Sequence, residues 1–389
     1  MDELLEIGVA LGLAGLVGEV AARVFRLPRI TGYALTGLLL GPVGLRWLGT
    51  RDIDNMRVLV DLALGLVLFE LGVRVDLRWF RNNPQMLASS LIEAALAFGA
   101  IFAVLRYTLG LPLGHSATLA AIGMSTCPAA VMGVCAEEHS DGQVSQRLHV
   151  LCALNVLYAA VASKLIPSGQ HGAFSGDWLT AMAQPIILMA GSLVVGWLLS
   201  LAYRLVQRFV AGYDNDAVAL LFGLLLISIW AMSALKLPAL LAPLVAGVLV
   251  KNLDPRPHLW PHHFGSAGAL LVLTLLLLTE AACTKEQLLT GGLAAAAFIG
   301  ARLAGKLLGS LALGPRSGLS FKQSAALGLS LSPLSAVAWV LGEDIFSLYP
   351  AYREAMAPIL LAAILLLGVL GPVVVKLALK LAGETRRKT

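Results

Sequence analysis

Apolar runs of about 20 residues follow one another along nearly the whole chain, separated by short polar segments. Each run is long enough to cross a hydrocarbon layer roughly 30 Å thick as a helix. Only 13% of the 389 residues are charged, about half the fraction that is usual in a soluble domain. The runs are rich in Leu and Ala and do not alternate, which argues against a β-barrel. The sequence therefore predicts an all-α polytopic membrane protein.

About thirteen transmembrane helices are predicted, and the short loops between them leave no room for a soluble domain. The predicted spans are residues 4–24, 31–48, 57–73, 84–108, 116–137, 145–166, 178–207, 216–235, 237–252, 264–283, 287–313, 320–343 and 354–382. A short basic tail, 384–389, follows the last span.

The sequence lacks the residues that several functional classes require. We find no catalytic triad, phosphate loop or metal-ligand cluster, so we expect no enzyme, no cofactor and no metal site. The four cysteines are scattered within spans, without disulfide or metal spacing. The net charge of +5 fits membrane topology better than nucleic-acid binding. Without a nucleotide-binding domain, an ion gradient would have to drive any transport.

Lysine and arginine are unequally shared between the two sides of the membrane. If successive loops lie on alternate sides of the membrane, eighteen of the 28 Lys and Arg residues fall on the side of the C-terminus and eight fall on the other side. The remaining two, Arg302 and Lys306, lie within a span. Loops rich in positive charge stay in the cytoplasm. We therefore predict an outside N-terminus and a cytoplasmic C-terminus, in a bacterial inner (plasma) membrane.

The sequence resembles itself at a fixed offset. Two six-span repeats are predicted, about 4–166 and 216–382, joined by a connector helix at about 178–207. Because one connector helix follows the six spans of the first repeat, the second repeat has the opposite orientation in the membrane. Many secondary transporters are built from such inverted repeats. The matching segments are 27–40 with 237–250 and 66–77 with 276–287 at a shift of 210, and 125–131 with 330–336 at a shift of 205.

Two matching spans carry polar residues and a proline at their centres, in GMSTCPAAVMG (123–133) and GLSLSPLSAVAW (328–339). Proline removes a backbone donor, and the freed backbone groups then need partners. Neighbouring helices could satisfy a simple kink. A repeated pair instead predicts crossed discontinuous helices around an ion site. The candidate ion-binding residues at the breaks are Ser125, Thr126, Pro128, Ser332 and Ser335.

LPRITGYALTGLLLGP (27–42), LVLFELGVRVDL (66–77), STCPAAV (125–131) and ARLAGKLLG (301–309) resemble motifs of one known family. It is the monovalent cation:proton antiporter superfamily, in particular the sodium/hydrogen and potassium/hydrogen exchanger membrane domain of its glutathione-regulated potassium-efflux-like branch. The resemblance implies exchange of sodium or potassium for protons by alternating access. It also implies a core bundle that moves against a scaffold bundle. The scaffold bundle would contain the Leu-Pro spans and form the contact surface of a homodimer.

The sequence departs from this family at two places. The family has an essential Asp in the span after the first break, where this chain has Asn155, and 332–339 replaces its R-G-E-F. An amide oxygen can bind a cation but does not titrate. Asn155 is thus either an ion ligand or a helix–helix hydrogen-bonding residue. Two alternatives remain open: an anion or organic-acid transporter, and a non-transporting sensor or assembly relative.

Five charged residues inside spans are further candidates. Arg302 and Lys306 share one helix face, and the resemblance implies that this basic position pairs with the missing Asp. They must then meet another acid, backbone carbonyls or a substrate, unless Lys306 extends to the cytoplasmic surface. Glu93 has no partner nearby in sequence and is a candidate proton carrier. Glu70 and Glu280 are either loop-side caps or acids of the ion pathway.

Overall fold

The computed structural model describes residues 2–48, 56–175, 178–209, 214–253 and 265–385, so most of the predicted tail lies outside the described residues. The described regular structure is all helical. The helices are α1 (Asp2–Arg23), α2 (Arg29–Leu40), α3 (Arg57–Val73), α4 (Leu77–Asn82), α5 (Pro84–Ala103), α6 (Leu113–Gly123), α7 (Pro128–Glu137), α8 (Gln143–Ser175), α9 (Trp178–Phe209), α10 (Asp214–Ala234), α11 (Leu241–Leu253), α12 (Gly265–Ala281), α13 (Lys285–Leu313), α14 (Phe321–Ser330), α15 (Ala336–Leu348) and α16 (Pro350–Ala382).

The helices agree with the predicted membrane class. Seven described segments are long and apolar enough to cross a membrane, and α10, α11 and α12 are shorter apolar helices. The all-α membrane fold is thus confirmed, while the count of thirteen spans stays a prediction. Predicted limits differ clearly in the second span, which ends as a helix at Leu40 rather than at residue 48, and in the sixth, which ends at Ser175 rather than at residue 166. Gly41 and Pro42 follow directly, and Gly41 is extended, which stops the helix.

The helices group into two bundles. The scaffold bundle contains α1, α2, α3 and α9 to α12, in which α11 packs on both α3 and α9. The core bundle contains α5 to α8 and α13 to α16, in which α13 packs on both α5 and α16. Contacts of α2 with α16 and of α8 with α9 join the two bundles. The two pairs of half-helices, α6 with α7 and α14 with α15, both belong to the core bundle.

The two Leu-Pro helices pack in corresponding ways. Gly37 of α2 lies against the backbone of α12, and Gly247 of α11 lies against the backbone of α3; a Cβ at either position would overlap a carbonyl oxygen. These glycines are 210 residues apart, as are Arg26 and Lys236, which precede the two Leu-Pro pairs with φ of 55° and 54°. Positive φ is uncommon outside glycine. The same local geometry therefore recurs at the predicted offset.

Glu384 caps the beginning of α8. Its Oε1 accepts a hydrogen bond from the Val144 backbone N–H at 2.7 Å, and its Oε2 accepts from the Ser145 N–H and hydroxyl, both at 2.8 Å. Its backbone carbonyl accepts from the Asp141 N–H at 3.1 Å. A carboxylate at a helix N-terminus satisfies free N–H groups and complements the helix dipole. The end of α16 is thereby fixed to the start of α8.

Candidate ion-binding site

The two predicted breaks meet inside the core bundle. Residues 124–127 separate α6 from α7, and residues 331–335 separate α14 from α15. The Cys127 N–H donates to the Pro333 carbonyl at 3.0 Å, and the Thr126 hydroxyl donates to the Leu331 carbonyl at 3.5 Å. Pro128 is the first residue of α7, where its missing N–H costs nothing because that donor would be free anyway. We call this meeting point of the four half-helices the crossing.

Arg302 of α13 lies fully buried in the crossing. Its guanidinium donates five hydrogen bonds and meets backbone carbonyls rather than an acid. The acceptors are the carbonyls of Gly123 (3.0 Å), Ser125 (2.7 Å), Leu331 (3.1 Å), Ser332 (2.6 Å) and Pro333 (3.2 Å). These carbonyls follow the C-terminal ends of α6 and α14, where the helix dipoles are negative. The arginine therefore satisfies both breaks and balances their partial charge.

Lys306, one turn further along α13, forms an ion pair with Glu93 of α5. Its Nζ lies 2.8 Å from Glu93 Oε1 and 3.0 Å from the Met124 carbonyl, and both charged side chains are 0% exposed. The predicted alternative that Lys306 extends to the surface is therefore wrong. Glu93 therefore does have a partner, which lies 213 residues away in the sequence. Its other oxygen, Oε2, has no hydrogen-bond partner among the described residues.

Two glycines of α13 allow this ion pair to form. A Cβ at Gly305 would meet the Cα of Ala97 at 2.6 Å, and a Cβ at Gly309 would overlap the Cα of Glu93. The backbones of α13 and α5 therefore approach closely on either side of the ion pair. Small residues four apart are a known signal for close helix packing in membranes. That signal in GKLLG (305–309) could have indicated a tight helix neighbour, although not that α5 is the neighbour.

Asn155 of α8 lies at the first break and is 0% exposed. Its Nδ2 donates to the Thr126 hydroxyl over a long 3.5 Å, and its Oδ1 has no hydrogen-bond partner in the part of the chain that the structure describes. Cys152, one turn earlier, donates to the Thr126 carbonyl at 3.7 Å. Buried polar groups are nearly always hydrogen-bonded, so an unpartnered amide oxygen here is an available ligand for a cation. The side chain of Asn155 thus forms a hydrogen bond, as one of its two predicted roles requires, but only through its amide nitrogen.

The two acids related by the repeat occupy different surroundings. Glu280 of α12 is 1% exposed, and its Oε1 accepts a hydrogen bond from the Ser335 hydroxyl at 3.1 Å. It is therefore not a loop-side cap, since it points into the protein beside the second break. Glu70 of α3 instead pairs with Arg74 at 2.8 Å and is partly exposed.

A cavity of about 900 Å³, here called the vestibule, lies between the scaffold bundle and α7. It extends to Ala129, the residue after Pro128, and thus to the first break. Arg23 and Arg29 lie at its mouth and are 78% and 52% exposed. Both belong to the side that the sequence assigns to the cytoplasm. Charged residues line it: Glu19, Arg23, Arg29, Glu70, Arg74, Glu137 and Glu138.

The structure thus gathers nearly all predicted site residues at the crossing. They are Ser125, Thr126, Pro128, Asn155, Arg302, Lys306, Ser332, Ser335, Glu93 and Glu280. Glu70 is the exception and lies in the vestibule. Sequence reasoning missed the Met124 carbonyl and the Tyr158–Ser90 hydrogen bond of 2.9 Å between α8 and α5. Backbone ligands carry no residue signature, so the first could not have been found.

The fold and the crossing can now be compared with known proteins. The sodium proton antiporter MjNhaP1 from Methanocaldococcus jannaschii has a similar structure in two determinations. In the structure at pH 8, the TM-score is 0.73 at 19% identity, over 98% of this chain and 97% of that one. In the structure from an electron microscopy map, the TM-score is 0.74 at 18% identity, with full coverage of both chains. At such identity the likeness shows the fold alone.

A sequence comparison with curated proteins gives no significant match. The family model for the sodium/hydrogen exchanger transmembrane domain, however, matches residues 9–381. That match covers nearly the whole chain, including both breaks and the buried charges of α13. The chain therefore belongs to the sodium/hydrogen exchanger family, whose members are membrane transporters that exchange cations for protons, and it is not an enzyme.

Proposed function

We propose that this protein exchanges sodium for protons at the crossing, and that the Glu93–Lys306 ion pair couples the two ions. The observation that carries this proposal is that the pair is fully buried and leaves Glu93 Oε2 without a partner. An incoming cation can bind this oxygen and compete with the ammonium of Lys306 for the carboxylate. Potassium remains the second candidate, since the oxygen ligands do not by themselves set the cation's size.

The coupling step is balanced in charge and protons. When sodium binds the Glu93 carboxylate, the Lys306 ammonium loses its partner and releases its proton to water. One cation enters the site and one proton leaves it, and the reverse step restores the ion pair. A buried lysine can release a proton in this way, whereas the guanidinium of Arg302 keeps its charge. Asn155 Oδ1 and the Thr126 hydroxyl supply further oxygen ligands.

The hydrogen bonds of the two basic residues disfavour the anion alternative. The donors of Arg302 are directed to five carbonyls, and Lys306 is held by Glu93 and the Met124 carbonyl. An anion would therefore have to displace backbone acceptors that are themselves buried and would lose their partners. A cation has unpartnered oxygens available instead.

We further propose that the core bundle moves against the scaffold bundle and exposes the crossing to each side in turn. Support comes from the vestibule, which separates the two bundles and reaches the first break from one side. The scaffold bundle would stay fixed through a homodimer contact. Trp197 of α9 and Trp230 of α10, exposed by 51% and 71%, lie on its outer surface. This proposal also places the protein in the bacterial inner membrane, with its C-terminus in the cytoplasm.

Transport in proteoliposomes tests the proposed function. With an imposed pH gradient, addition of Na⁺ or K⁺ should dissipate the gradient, whereas Asn155→Ala should need about tenfold more cation, since one ligand worth roughly 1.4 kcal/mol is lost. Glu93→Gln should abolish cation-evoked proton flux. Asn83→Ala, at an exposed asparagine, is the control and should behave as wild type.

Three results would contradict this function. Undiminished cation-evoked flux in a folded Glu93→Gln protein would remove the ion pair from the coupling. Uptake of organic anions without any cation-evoked proton flux would support the anion transporter. Absence of any flux, also in Asn155→Asp, would support the non-transporting relative.

A further inference from the structure

Glu280 is a buried carboxyl group outside the ion pair that couples transport. It belongs to the last turn of α12, in the scaffold bundle, while its hydrogen-bond donor Ser335 belongs to the core bundle. Two glycines make room for it. A Cβ at Gly37 of α2 would lie 3.0 Å from the Glu280 Cβ, and a Cβ at Gly368 of α16 would overlap its carboxylate. The carboxyl group is therefore enclosed by α2, α15 and α16.

No basic side chain faces this carboxyl group among the described residues. Within the described ranges, its Oε2 has no hydrogen-bond partner, and its only side-chain partner is the neutral Ser335 hydroxyl. The titratable groups near it are the thiols of Cys127 and Cys283, both buried. An isolated buried carboxylate is very costly, so such a group is either neutral or holds a positive ion. Gly368 packs directly against the carboxyl group, and this close packing favours a proton over a larger metal cation.

The repeat places Glu280 opposite the vestibule. Glu70, its counterpart at a shift of 210 residues, lines the open vestibule and is paired with Arg74. The predicted inversion of the second repeat puts Glu280 on the opposite side of the membrane from the vestibule, where it lies in a closed contact, since it is 1% exposed. Ser335 completes the contact between the bundles. When core and scaffold separate on that side, this hydrogen bond must break and Glu280 must meet water.

We propose that Glu280 binds a proton, as a second proton site, in the closed contact between the bundles opposite the vestibule. The O–H bond forms when the contact closes around the carboxyl group. It breaks when the contact opens, and the proton passes to water on that side. The site is separate from the Glu93–Lys306 ion pair. Only its role in transport rests on the proposed exchange function; proton binding itself does not.

Infrared difference spectroscopy tests the proposal directly in the detergent-solubilised protein. At pH 7.5 the wild type should show the C=O stretching band of a protonated carboxylic acid. Glu280→Gln should remove this band, and Ser335→Ala should shift it to higher frequency, since a hydrogen bond to the carboxyl oxygen is lost. Glu70→Gln, at the partly exposed counterpart, should leave it unchanged.

Two outcomes would overturn the second proton site. One is the absence of the band in the wild type, or its persistence in Glu280→Gln. The other is loss of the band on addition of Na⁺ or K⁺ at constant pH, which would make Glu280 a cation ligand. Neither result depends on transport. Failure of cation-evoked flux with an intact Glu280 band would contradict the exchange function alone.

Discussion

Two basic side chains one helical turn apart on α13 have different bonding patterns in this protein. Arg302 is bound by five backbone carbonyls, and its planar guanidinium suits several acceptors at once. Lys306 is a compact ammonium that holds one carboxylate and one carbonyl. The first therefore maintains the crossing, while the second can exchange its partner. A lysine at position 302 would leave carbonyls of both breaks unsatisfied.

Both charges could be singled out from the sequence, but their partners could not. A charge in the middle of an apolar span is visible in any membrane sequence, and so is the departure at Asn155. The acid that meets Lys306 comes from α5, on which Glu93 has no distinguishing neighbours. The pairing depends on how two distant helices approach each other, and a single sequence carries only indirect signs of that.

At the same scale, Glu384→Gln should destabilise the protein by about 1–2 kcal/mol, because a charged cap of α8 becomes neutral and an amide donor faces backbone N–H groups. The unfolding midpoint in detergent measures this effect. Glu354→Gln, at an exposed glutamate within α16, should leave the midpoint unchanged. Equal midpoints for both variants would show that the cap contributes nothing.

At the scale of elements, the half-helices and the glycine contacts determine the architecture. The proline-bearing breaks were predicted correctly because proline and polar residues are strong local signals. The helix ends were predicted less well, as the second span shows, because hydropathy continues past Gly41 while the helix does not. The repeat aligns Gly37 with Gly247, but it does not predict a contact at either glycine. Which helix each glycine faces follows from the tertiary structure.

Gly309→Ala should push α13 away from α5 and weaken the ion pair between them. Its Cβ would overlap the backbone of Glu93, so either the helices separate or the side chains rearrange. We expect a loss of about 1–3 kcal/mol in unfolding free energy, as for overpacking elsewhere, together with slower exchange.

Gly300→Ala is the matched control on the same helix α13. A Cβ there meets nothing within 4 Å, so stability should stay the same or rise slightly. A Gly309→Ala protein as stable and active as this control would show that the close approach of α5 and α13 is not needed.

For the whole molecule, the vestibule makes the two sides of the membrane unequal. Met132 of α7 lines the vestibule and is 8% exposed, whereas Val337, its counterpart at a shift of 205 residues, does not line it and is 1% exposed. The predicted repeat relates these positions in sequence, but only Met132 borders the cavity. The division into two six-span repeats stays a prediction, supported by the glycines and the turns before the Leu-Pro pairs.

In a cysteine-free background, Met132→Cys should react with a water-soluble maleimide added from the side of the C-terminus. Val337→Cys should react at least tenfold more slowly from either side in this conformation. Mass spectrometry of oriented vesicles gives both rates. Faster labelling of Met132→Cys from the opposite side would reverse the predicted orientation, and equal rates would contradict the one-sided vestibule.

The contact of Glu384 with α8 also has a consequence for biogenesis. The ribosome delivers Val144 to the membrane long before Glu384, which follows 240 residues later. Until then the first turn of α8 lacks its cap, although α8 carries Asn155 and the surrounding helices α5 to α7 are already synthesised. The cap of α8 can therefore form only after α16 has been synthesised, so this contact is a late step of folding rather than an early one.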